Sequence, residues 1–86
     1  MRSFLAEPFF RHWRDVPDSI QSLARKNYRL WKNDPRHPSL RFKQVKPNVW
    51  SARIGLDYRV LGRVQSDAIH WFWIGGHDEY ERLLRE

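Results

Sequence analysis

The feature that most constrains this chain is a change of hydrophobic period at the bend Pro35-Arg36-His37-Pro38. Before the bend apolar residues recur every three or four positions; after it they alternate. Helical periodicity in one half and strand periodicity in the other predict an α+β fold, with helices and strands segregated along the chain. Eighty-six residues are enough for one domain, spanning 1–86, with an adequate core.

The helical half reads as a hairpin over residues 7–33. Glu7-Pro8 opens a short helix carrying Phe9, Phe10 and Trp13, and Val16-Pro17-Asp18 breaks it and starts a second. In that second helix Ile20, Leu23, Ala24, Asn27, Leu30 and Trp31 follow the 3.6-residue period, and Asn33-Asp34-Pro35 ends it. Beyond the bend, Leu40 to Lys46, Val49 to Ile54, Tyr58 to Val64 and Ala68 to Ile74 read as four strands. The links Pro47-Asn48, Gly55-Leu56-Asp57 and Gln65-Ser66-Asp67 are short enough for hairpins, so a four-stranded antiparallel meander over residues 40–74 is expected. Asp78 to Arg85 adds a short C-terminal helix, with acids at its start and Arg85 at its end.

Turn arithmetic sets one register. A turn centred on Leu56 pairs Arg53 with Arg59, Ala52 with Val60 and Trp50 with Gly62. Trp50, Ala52, Ile54, Tyr58, Val60 and Val64 then share the face that the helices cover, and Arg53, Arg59 and Arg63 take the other. Two arginines directly opposite each other repel in an empty sheet, and a bound phosphate removes the repulsion. The alternative is a solvated face with carboxylates nearby.

Charge points the same way. Sixteen Lys and Arg against ten acids give a net charge of +6, which makes a polyanion the natural partner class. No apolar run is long enough to cross a bilayer, and the charges at Arg2, Glu7, Arg11, Arg14 and Asp15 do not fit a signal peptide. The absence of cysteine excludes a disulfide framework and a cysteine zinc site, and fits a reducing cytoplasm. His12, His37 and His70 do not form a metal set, so neither metal nor cofactor is expected, and His37 between prolines reads as structural. Trp31, Trp50 and Trp71 read as core. Trp73 reads as packing, with stacking on a base as the alternative.

The chemistry-bearing residues cluster in the last third: Arg59 on one strand, then His77-x-x-Tyr80 at the exit of the next. A permanent cation, an imidazole and a phenol on one sheet edge suit a phosphodiester. His77 reads equally as a helix-start residue, and Tyr80 as a residue pinning the last helix to the sheet.

The ordered set Val16-Pro17-x-x-Ile20, Ala24-Arg25-Lys26, Asn33 to Leu40, Trp50-Ser51-Ala52-Arg53-Ile54, Asp57-Tyr58-Arg59-Val60-Leu61 and Ile74 to Tyr80 resembles the RelE/ParE superfamily of toxins from bacterial type II toxin–antitoxin modules. The resemblance covers nearly the full chain and implies a helical hairpin on a twisted antiparallel sheet. Many members have a strand before the first helix, which only Arg2 to Leu5 can supply here. For the ribonuclease members it implies metal-independent cleavage of mRNA, usually on the ribosome. Arg59 would be the transition-state cation, His77 the general acid and Tyr80 an orienting or stacking residue, with Lys43, Lys46 and Arg53 as contacts to the RNA backbone.

The chain departs from the family in two places. It lacks the extra arginine that some members carry near the position of Trp73, and Gln44 cannot replace the glutamate base of one subgroup. The resemblance implies a cognate antitoxin as partner. It equally admits a ParE-like inhibitor of DNA gyrase without hydrolytic activity, or a degenerate non-toxic relative, because one scaffold serves all three.

Overall fold

The computed structural model describes residues 1–86. Strand β1 (Arg2–Leu5) leads into helix α1 (Glu7–Trp13) and then the long helix α2 (Asp18–Asn33). After a single 3-10 turn at Pro38–Leu40 come β2 (Lys43–Lys46), β3 (Val49–Ile54), β4 (Tyr58–Gln65), β5 (Ala68–Gly76) and helix α3 (His77–Arg85). The sheet order is β1-β5-β4-β3-β2. The fold is α+β, as the change of period requires.

Local chemistry explains the helix boundaries. Pro8 stands in the first turn of α1, where a missing N–H costs nothing. Pro17 precedes α2, and its carbonyl accepts the N–H groups of Ile20 and Gln21, both at 2.9 Å. Gln21 then donates through its side chain to the Trp13 carbonyl at 2.9 Å, tying the two helices into the hairpin. Asn27 donates to the Arg53 carbonyl at 3.1 Å and fixes α2 over β3.

The sheet differs from the expected meander in three respects. It has five strands and is mixed, because β1 pairs in parallel with β5 from Arg2 against Ala68 to Leu5 against Trp71. That pairing joins residues some 66 positions apart, beyond the reach of any hairpin signal. Second, the strand expected from Leu40 starts only at Lys43. Pro38 opens the 3-10 turn, His37 caps it by accepting the Ser39 N–H, and Arg41 follows in the left-handed region at φ 45°. His37 is structural, as its prolines imply. Third, β5 carries a bulge: Leu61 pairs with Trp73 and Gly62 with Trp71, which leaves Phe72 without a partner.

The bulge gives the sheet two cores. Ile69, Trp71 and Ile74 join Phe9, Ala24, Trp31, Ala52 and Ile54 beneath the helical hairpin. Past the bulge the alternation reverses, so Trp73 faces the other side with Val49, Leu61 and Tyr80, under Leu83 and Leu84 of α3. The face opposite the hairpin is therefore half apolar, and α3 covers that half. Ile69 and Leu40, at 0% and 1% exposure, each contribute about 1.5–3 kcal/mol of burial free energy. The β3–β4 register is the one derived from turn arithmetic, with Arg53 against Arg59, Ala52 against Val60 and Trp50 against Gly62. No helix is long and apolar enough to cross a membrane.

Candidate functional site

The β3–β4 turn is the centre of the site. Its three successive carbonyls each hold a different candidate residue. Arg53 Nε donates to the Gly55 carbonyl at 2.9 Å. Arg59 Nη1 donates to the Leu56 carbonyl at 3.1 Å and also to its neighbour Tyr58 at 2.8 Å. The backbone N–H of His77 donates to the Asp57 carbonyl at 2.7 Å, which pins the first residue of α3 against the same turn. Gly55 makes this turn possible by taking φ +63°, a conformation that disfavours side chains.

Arg59 is half-buried and lies over the ring of Tyr80, 5.9 Å from its centroid. Burial, and then the guanidinium of Arg53, hold its pKa below the usual arginine value; Arg41 pushes the same way, and Tyr80 and Glu81 partly offset it. The group remains a cation at neutral pH. Across the sheet from it stands Gly75, whose place on that face is roofed by the Trp73 indole. A Cβ at Gly75 would approach the indole to 2.5 Å.

Tyr80 supports the site from below. It is 5% exposed, and its hydroxyl donates to Ser51 Oγ at 3.1 Å, itself 2% exposed. The ring stands 6.1 Å from that of His77, so one aromatic ring neighbours both the imidazole and the guanidinium. Its side chain thus pins α3 to the sheet beside both groups. The His77 ring is partly exposed, with Nε2 3.2 Å from Glu81 Oε1.

The residues singled out in the sequence divide as follows. Arg53, Arg59, His77 and Tyr80 come together around one turn. Lys43 pairs with Ser51 and is exposed on the same face, two residues along β3 from Arg53. Lys46 is placed elsewhere: its Nζ donates to the carbonyls of Leu83 at 3.4 Å and Glu86 at 2.6 Å, clamping the C-terminal end of α3. Gln44 pairs with Trp50, on the hairpin side. Trp73 is 4% exposed and packs. Two residues that sequence reasoning missed face Arg59: Arg41, in its left-handed bend, and Glu81, one helical turn after His77. Only the His77-to-Glu81 spacing carried a signal, once α3 is known to start at His77.

A small mixed sheet flanked by a helical hairpin, with an arginine pair and the first residue of α3 held on one turn, defines a basic α+β scaffold. The model of the ParE-like toxin domain matches residues 18–82, and the chain belongs to that family. No curated protein matches. Among solved structures, a chain of the RelB–RelE antitoxin–toxin complex from Methanococcus jannaschii is similar at 19% identity and TM-score 0.74, over 93% of this chain and 96% of that one. The YoeB/ParE toxin from Agrobacterium tumefaciens follows at 16% identity and TM-score 0.65, over 90% and 99%. The isolated RelE toxin from E. coli matches at 14% identity and TM-score 0.63, over 98% and 96%. At these identities the likeness establishes the fold.

Proposed function

We propose that residues 1–86 form one toxin domain of a toxin–antitoxin module that cleaves mRNA as an endoribonuclease, free or on the ribosome. The observation that carries this reading is the β3–β4 turn, whose successive carbonyls gather two guanidinium groups and the backbone of a histidine at one end of the sheet. A 2′-hydroxyl that attacks the adjacent phosphorus builds negative charge on the phosphoryl oxygens. Arg59, held by two carbonyls and the Tyr80 ring, is fixed to receive that charge. The leaving 5′-oxygen takes its proton from the imidazole of His77. Tyr80 orients both groups, while Lys43 and Arg53 hold the RNA backbone on the same face. Lys46 reaches RNA only at the α3 end of that face, where its ammonium is shared with two carbonyls.

The partner that belongs with this reading is an acidic antitoxin. The structural neighbours include RelB–RelE antitoxin–toxin complexes, and a net charge of +6 favours an acidic binder. An apolar groove of about 280 Å³ between hairpin and sheet, with exposed Leu5 and Phe10 among its lining residues and Arg25 beside them, suits one or two apolar side chains of an amphipathic segment.

Expression in bacteria is expected to arrest growth, with new 5′ ends in translated mRNA by primer extension. Arg59→Ala or His77→Ala should each relieve the arrest and remove those ends. Arrest with intact mRNA and an SOS response would replace this reading by gyrase inhibition, and harmless overexpression by a degenerate relative. Co-purification of the neighbouring gene product tests the partner.

A further inference from the structure

We infer that Glu81 is a positioning residue for His77: its carboxylate takes the Nε2–H and leaves Nδ1 as the nitrogen that exchanges a proton with RNA. This inference rests on the ribonuclease reading above. Four residues separate the two on α3, which places them on one helical face, with Nε2 and Oε1 3.2 Å apart. An exposed pair of this kind contributes little to stability by itself. Its surroundings give it another use. The His77 backbone is fixed to the Asp57 carbonyl, so the ring moves only by its own rotamers. Tyr80, between the two in sequence, is buried and bonded to Ser51, so α3 cannot roll the pair away from the sheet. The charge of Glu81 also acts on Arg59, where it offsets part of the burial that depresses the guanidinium. The carboxylate is thus hydrogen-bonded to the proposed general acid and near enough to the proposed transition-state cation to act on its charge, in a chain with glutamine rather than glutamate on β2.

A neutral imidazole carries one proton, and the partner of one nitrogen decides which nitrogen keeps it. With Nε2–H on Glu81, the Nδ1 side is open to substrate. In the cleavage step the 2′-oxygen bonds to phosphorus and its proton passes to solvent water. The bond from phosphorus to the 5′-oxygen breaks, and that oxygen takes the Nδ1 proton of the imidazolium. A 2′,3′-cyclic phosphate and a 5′-hydroxyl result, and neutral His77 keeps Nε2–H on Glu81. The carboxylate holds the Nε2–H in the imidazolium before the transfer and in the neutral ring after it.

The test uses the purified full chain, ribosomes programmed with mRNA, and two substrates: ordinary RNA and RNA with sulfur in place of the scissile 5′-oxygen. A thiolate leaves without a proton, so a defect that acts through the general acid disappears on the second substrate. Glu81→Ala keeps a good helix former at a half-exposed position and should fold. It is expected to cut ordinary RNA about tenfold more slowly and the sulfur substrate at the parent's rate. Nitrogen-15 NMR of His77 should show the Nε2–H tautomer in the parent and a mixture in Glu81→Ala. Equal losses on both substrates, parental rates on both, or a tautomer indifferent to the substitution would each overturn the inference and leave the nuclease reading intact. If the parent cuts neither substrate, the nuclease reading fails, and with it the proton transfer assigned to Nδ1.

Discussion

Arg59 is held where folding disfavours its charge. Burial, and after it the guanidinium of Arg53, lower its pKa below the unfolded value. The sign follows: the cation is destabilising in the folded state at every pH below the folded pKa, including the neutral range, and the penalty fades only as strongly alkaline pH removes the proton. An anion bridging the pair reverses it. Inorganic phosphate is therefore expected to raise the melting temperature, by the equivalent of about 1.4 kcal/mol at ten times its Kd, and Arg53→Gln should remove most of the rise. Thermal melts in phosphate against a non-coordinating buffer at equal ionic strength check this. A different balance holds at Tyr80. Tyr80→Phe keeps the ring beneath Arg59 but strands the buried Ser51 hydroxyl, at a cost of about 1 kcal/mol by urea denaturation with little effect on cleavage. Tyr80→Ala removes ring and support, about 3–5 kcal/mol, and should abolish activity. The Arg53–Arg59 pair was legible in the sequence because a short turn counts outward from Leu56 in both strands. The pinning of α3 by Tyr80 was legible only as one of two readings, because it depends on which side of α3 docks.

Among the elements, β5 decides most. Its bulge at Phe72 sends Trp71 to one core and Trp73 to the other, and a glycine makes room for each indole. A Cβ at Gly62 would stand 2.7 Å from Ile69 and 2.8 Å from the Trp71 ring. Gly62→Ala is accordingly expected to cost about 1–3 kcal/mol through overpacking, read as a lower denaturation midpoint at unchanged slope. Strict alternation would place His70, Phe72 and Ile74 on one face. One unpaired residue reversed it, and no periodicity in so short a strand announces a bulge. Besides the packing of Leu83 and Leu84, helix α3 has three polar attachments: the His77 N–H to Asp57, Tyr80 to Ser51, and Lys46 to the carbonyls at its end. Lys46→Ala should leave the global midpoint nearly unchanged and speed hydrogen exchange over residues 83–86. That outcome would separate a clamp from a backbone contact to RNA, which the residue type alone leaves equivalent.

For the whole molecule, a net charge of +6 becomes useful only where it converges. Lys43, Arg53 and Arg59 lie on one face, so three phosphate contacts should give RNA affinity a slope of about −2 against the logarithm of salt concentration. Lys43→Ala is expected to flatten the slope by about 0.7, measured by filter binding across a salt series. A salt-insensitive interaction would point instead to an apolar protein surface as the target. The sequence by itself determined what local interactions control: the hairpin bounded by Pro8, Pro17 and Asn33, the three strand pairings closed by short turns, and the facing arginines. Each follows from periodicity and turn geometry between residues close along the chain. Tertiary structure alone decided the parallel pairing of β1 with β5, the second core beneath α3, the diversion of Lys46 to a helix end, and the placing of Glu81 and Arg41 beside Arg59. Those contacts join segments distant in sequence, where side-chain packing and the docking angle of a helix set the partner, and no pattern of neighbouring residues encodes either.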